Sequence, residues 1–148
     1  MDKFAAAGLA FLLAVLWFDL MFDIQIRAQT GDLPPNVLAS ISAYYRRVTT
    51  DAFPMNRLVA AVMVLTLVAI GIQIAKGEKS WWIGWASLAI MGFGVVLTLT
   101  RTVPNAVRLG SAVDTLAVQS SLARAIYHDH VFGFARTILV LGLQLFAR

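Results

Sequence analysis

The 148-residue chain is 59% hydrophobic and only 14% charged, with a mean hydropathy of +0.77. Soluble globules carry about a quarter charged residues, so composition excludes that class and points to an integral membrane protein. The net charge of +4 comes from basic residues scattered around apolar runs rather than massed together, which speaks against nucleic acid, and the lack of cysteine excludes disulfides, thiolate metal sites and a cysteine nucleophile.

The first apolar run, 4–22, is long enough to cross a bilayer as a helix and holds one charge, Asp19. It closes on Trp17-Phe18-Asp19-Leu20-Met21-Phe22-Asp23. Asp19 and Asp23 are spaced i,i+4, so a helix points both carboxylates to one side, a turn apart. A carboxylate at the bilayer centre costs about 2.5–3.5 kcal/mol, so both acids are expected to face a partner or a water-filled pocket. A single lysine, Lys3, and bulky residues where a cleavage site needs small ones read as a retained span, not a signal peptide.

Thr30-Gly31-Asp32-Leu33-Pro34-Pro35 then breaks the pattern. Val37, Leu38, Ile41 and Tyr44/Tyr45 recur at helical spacing up to Pro54, which predicts a short amphipathic helix. Runs 58–75 and 81–99 are joined by the turn Lys76-Gly77-Glu78-Lys79-Ser80 and predict an antiparallel hairpin of spans. Trp81, Trp82 and Trp85 read as an interfacial anchor. Pro104 opens a second amphipathic stretch through Val107, Leu109, Val113, Leu116, Val118 and Leu122. Nothing breaks it before the fourth run, 131–147, so one long helix from about 113 onward is expected. The whole, 1–148, is expected to be one domain: an all-α, four-span membrane bundle whose two amphipathic connections cap one face.

An up-down-up-down bundle gathers the polar residues at that capped face. Asp19, Asp23 and Arg27 come from span one, and Asn56 and Arg57 from span two. Thr98, Thr100 and Arg101 come from the end of span three, with Asn105 just after, while His128, Asp129, His130 and the deeper Arg136 belong to span four. The other face holds Lys3, Lys76, Glu78, Lys79 and Arg148, an ordinary solvated set. The candidate chemical groups are His128, Asp129, His130, Arg101 and Arg136, and the candidate substrate-binding groups are Asp19, Asp23, Arg57, Asn105 and Trp17.

His128 and His130 point about 200° apart on a helix and make no two-histidine chelate. With Arg136 facing inward, Asp129 shares its face, His128 lies moderately off it and His130 further away. No resident metal is expected, although one histidine with Asp19 and Asp23 could hold an oxygen-loving ion. A histidine beside carboxylates serves equally as a general base. At least one of Asp19 and Asp23 is expected to contact Arg101 or Arg136. Such a pair could also be purely structural, or the acids could belong to a non-enzymatic accessory subunit or a proton or cation carrier.

Thr100-Arg101-Thr102-Val103-Pro104-Asn105 after the third span, with His130 ahead of Arg136-Thr137 in the fourth, resembles the anthrone-oxygenase-like family of small four-span membrane proteins. The matching positions are Val103, Pro104, Asn105, His130, Arg136 and Thr137. The resemblance implies cofactor-free oxygenation of a lipophilic, phenolic aromatic substrate. His130 or His128 would be the base, Asp129 or Asp23 would orient it, and Arg101 and Arg136 would hold the oxyanion. The bilayer and a small lipophilic molecule are the expected partners, with a homo-oligomer or a larger membrane complex left open. A bacterial inner membrane is the expected location, and the arginines of the capped face place that face in the cytoplasm.

Overall fold

The computed structural model describes residues 2–146, and every regular element among them is helical. Helix α1 spans Asp2–Asp23 and ends in a 3-10 turn, Ile24–Ile26; α2 spans Pro35–Thr50 and α3 Met55–Lys76. Helix α4, Trp81–Leu97, runs through a π-helical turn, Thr98–Thr102, into α5, Val103–Ser111, and α6 spans Leu116–Phe146. Four stretches are long and apolar enough to cross a membrane: Lys3–Ile26, Met55–Lys76, Trp81–Ser111 and Leu116–Phe146. The fold is an all-helical membrane bundle, as composition requires.

Phe18, Val64, Leu65, Phe93 and Leu139 are all exposed on the outside of the bundle, where lipid rather than water is the compatible solvent. Within the bundle α1 packs against α3 and α6, and α4 packs against the same two helices. Leu9, Leu12, Ala69, Ile70, Met91 and Val140 form the apolar core between them. Trp81, Trp82 and Trp85 are exposed at the end away from the cap, Trp81 by 76%, as an interfacial anchor would be.

Helix α6 is the long helix expected from the unbroken pattern after 113. At 1.5 Å per residue it measures about 46 Å, against a hydrocarbon core of about 30 Å, so its first turns project beyond the bilayer. On that projection α2 and α5 build a second core. Leu38, Ile41 and Tyr45 of α2 meet Ala106 and Leu109 of α5 and Leu122, Ala123 and Ile126 of α6, with Ile26 and Leu33 beside them. Helix α2 starts with Pro35 at a position where a missing N–H costs nothing. The loop before it is tied to α6: Leu33 N–H donates to Ser120 Oγ at 2.9 Å, and Arg124 donates to the carbonyls of Gln29, at 3.0 Å, and Gly31. The connections are therefore an ordered cap, with one polar layer between the two apolar cores.

Candidate functional site

The polar layer starts from α1. Asp23 is fully buried. Its Oδ1 accepts a hydrogen bond from the Tyr45 hydroxyl at 2.6 Å, and its Oδ2 lies 2.7 Å from His130 Nδ1. The Tyr45 oxygen is 3.4 Å from the same ring nitrogen, so α1, α2 and α6 meet in one triad. One turn back, Asp19 Oδ1 accepts from Tyr44 at 2.5 Å, and the Tyr44 ring stacks on Phe22 at 4.0 Å. The i,i+4 carboxylates of α1 are thus matched by two consecutive phenols of α2.

A second cluster joins α6 to the π turn. Asp129 Oδ2 accepts from the Thr102 hydroxyl at 3.2 Å and lies 3.3 Å from Arg101 Nε. The π turn precedes Pro104, which has no N–H to give the helical ladder, so the hydrogen-bond register shifts here without unwinding the helix. Charge-assisted hydrogen bonds of this kind are about twice as strong as neutral ones. Below the layer, a cavity of about 160 Å³ opens between the spans, lined by Asp19, Thr98, Thr102, Asp129, His130 and Arg136 together with apolar residues such as Leu12, Met63 and Met91.

Of the sequence-derived candidates, Asp19, Asp23, Asp129, His130 and Arg101 are in these clusters. The expected acid–arginine contact is not made: tyrosines and His130 hold Asp19 and Asp23, while Arg101 serves Asp129. Arg136 lines the cavity but lies over Gly94, where a Cβ would sit 2.3 Å from its Nη2. The assignment of His128 as nearer the inward face than His130 is reversed, since His130 is buried and His128 exposed. Helix α6 has two inner neighbours, so its inward arc is wide: Asp129 and Arg136 face α4, and His130, about 100° round the helix, faces α1. Arg57 is exposed beside Phe53, its Cζ 5.0 Å from the ring centroid. Trp17 is exposed and packs on Phe134 at 6.0 Å, and Asn105 is half-buried on α5 outside the network. Among the described residues no group of three His, Asp or Glu is placed to hold a metal ion. Sequence reading missed Tyr44, Tyr45 and Thr102 as polar partners. The available signal was the adjacent tyrosine pair itself, two hydroxyls one residue apart on a helix facing two acids one turn apart.

Burial, and then the neighbouring carboxylates, push the Tyr44 and Tyr45 phenols well above the ordinary tyrosine value. The folded chain keeps protons that the unfolded chain releases, so this contribution to stability is intact below about pH 10 and is lost as pH rises beyond it. An alkaline titration followed by phenolate absorbance should therefore show these two tyrosines ionising only as the fold is lost. The double variant Tyr44→Phe/Tyr45→Phe should flatten the alkaline decline in stability. Reversible ionisation of two tyrosines within an intact fold would contradict the contacts.

The fold and its internally paired polar layer define a small multi-span membrane protein. The family model described as ER membrane protein SH3, the SHR3 chaperones, matches residues 6–124. The chain belongs to that family. The match takes in α1 to α5 and the first part of α6, including Asp19, Asp23, Tyr44, Tyr45 and Arg101, and ends before Asp129, His130 and Arg136. No curated protein and no solved structure matches the chain. The family match overturns the resemblance to anthrone oxygenases and leaves an oxidoreductase reading without support. It also replaces the expected bacterial inner membrane with a family of the ER membrane.

Proposed function

We propose that the protein works without catalysis, as a membrane-embedded chaperone whose clients are other membrane proteins, with its site of action in the ER membrane. The observation that carries this reading is the family match across residues 6–124. The geometry supports it in two ways. The three carboxylates of the polar layer are engaged by tyrosine, histidine, threonine and arginine groups of the chain itself, which suits a clamp that fixes the cap on the spans. The lateral surface is broadly apolar, with Val64, Leu65 and Val68 of α3 exposed, and offers helix-packing area to a client span within the bilayer. A proton or cation carrier has less support, because Asp23 has no exposed surface. In this reading residues 1–148 act as one four-span domain with Asp19, Asp23, Tyr45 and His130 as its structural keystone, and the arginine-rich cap lies in the cytosol.

The test is site-specific photo-crosslinking in cells that make multi-span membrane proteins, with the photoreactive residue at Leu65 and, for comparison, at Trp81. Newly made multi-span proteins should be captured from Leu65, and depletion of the chain should send them into aggregates. Crosslinks to lipid alone at Leu65, with normal membrane-protein folding on depletion, would overturn the proposal.

A further inference from the structure

Arg136, deep in α6, takes no part in the hydrogen bonds of the polar layer. Its Nε and Nη1 are buried and have no hydrogen-bond partner. The side chain of a helical residue leans toward the helix N-terminus, which in α6 is the cap side, so the guanidinium rises toward that membrane face. It comes to rest in the seam between α4 and α6. Gly94 leaves the space it occupies, since a Cβ there would lie 2.4 Å from Cζ, and the Phe132 ring centroid is 5.4 Å away.

Two spaces meet at this residue. One is the inner cavity. The other is a groove of about 520 Å³ on the lipid-facing side of the seam, walled by Ile90, Phe93, Phe132, Ala135 and Leu139. Phe93 and Phe132 meet edge to face across it, with centroids 6.3 Å apart. An unpaired guanidinium at membrane depth is costly and is normally met by an anion. A groove of this size lies in the range for small-molecule ligands, and its apolar walls match an acyl chain. Of the described residues that line it only Arg136 is charged; set among apolar side chains, it suits a ligand with a single anionic head and an apolar tail.

We propose that the α4–α6 seam binds a fatty acid drawn from the bilayer, its carboxylate on Arg136 and its acyl chain along Phe93, Phe132 and Leu139. The planar guanidinium is built to accept a carboxylate through paired N–H groups. Ile90, Phe93 and Gly94 on the α4 side of the seam lie within the segment matched by the family, and Phe132, Arg136 and Leu139 lie beyond it; the proposal does not rest on the chaperone reading.

The experiment uses the full chain in phosphatidylcholine nanodiscs and reads the motionally restricted fraction of three spin-labelled probes: stearate, its methyl ester and phosphatidylcholine. Stearate should associate about tenfold more strongly than either control, as one charge-assisted contact provides. Arg136→Gln should bring stearate down to the level of the ester. Ala135→Trp, which fills the groove and keeps the arginine, should do the same in a protein whose thermal unfolding is unchanged. Equal restriction of stearate and ester by the unmodified chain overturns the proposal. So does stearate selectivity that survives Ala135→Trp. Absence of stearate selectivity together with Arg136-dependent binding of a transmembrane peptide carrying one glutamate would also overturn it, and would assign the seam to a protein helix.

Discussion

Asp23→Ala should be the most damaging single substitution in the polar layer. The carboxylate accepts from Tyr45 at 2.6 Å and pairs with His130 at 2.7 Å, with none of its surface exposed. Removing it strands a phenol and an imidazole between two apolar cores. Breaking a buried pair by deleting one partner costs about 3–5 kcal/mol, a large part of the roughly 5–15 kcal/mol that holds a domain folded. Asp19→Ala loses one phenol bond at a partly exposed position and should cost less, about 1.5–3 kcal/mol. Asp23→Asn, which keeps the shape and one acceptor, should fall between the wild type and Asp23→Ala. The double variant Asp23→Ala/His130→Ala should cost less than the sum of its single variants, since each single change already forfeits the same bond. Thermal unfolding in detergent of the wild type, Asp23→Ala, His130→Ala and the double variant measures this. Additive losses would show that the two residues do not act as a pair.

The spans were legible because four apolar runs near 20 residues have few alternative structures, and the i,i+4 spacing of Asp19 and Asp23 carries their shared direction without further knowledge. The length of α6 was legible for a similar reason: no glycine or proline interrupts the pattern between Leu116 and His130. The partners of the acids were not legible. Periodicity places Tyr44 and Tyr45 on an amphipathic helix, but it carries no information about where that helix docks. Opposite charge made Arg101 and Arg136 the natural choice, yet Arg136 faces α4 rather than α1. The short Val103-Pro104-Asn105 and Arg136-Thr137 motifs that suggested an oxygenase have local explanations. Pro104 lies at the start of α5, and the Thr137 hydroxyl donates to the carbonyl of Gly133, one turn earlier, at 2.8 Å. Motifs set by helix starts and backbone back-bonding recur without shared chemistry.

Gly110→Ala should disable the same layer from a distance. Gly110 is buried on α5 where that helix crosses α2, and an added Cβ would lie 2.8 Å from Arg46 N, 3.0 Å from Arg46 Cα and 3.2 Å from the Tyr45 carbonyl carbon. Those are backbone atoms in the middle of a helix, so no rotamer change can make room. Helix α2 must move, and it takes Tyr45 and Tyr44 with it, away from Asp23 and Asp19. Overpacking of this kind costs about 1–3 kcal/mol before any hydrogen bond is lost. In an open helical position the same substitution stabilises by about 1 kcal/mol, so the sign of the effect is itself informative. Gly71→Ala on α3, where nothing lies within 4 Å of the new methyl group, supplies the comparison and should be neutral or mildly stabilising. Gly110→Ala should lower the unfolding temperature and raise amide exchange across α2 while leaving α3 protected. Combined with Tyr45→Phe it should cost less than the two changes separately, because the displaced helix has already loosened the phenol from Asp23. If Gly110→Ala instead behaves like Gly71→Ala, then α2 does not sit against α5 as closely as these distances require, and the clamp on Asp23 loses its mechanical support.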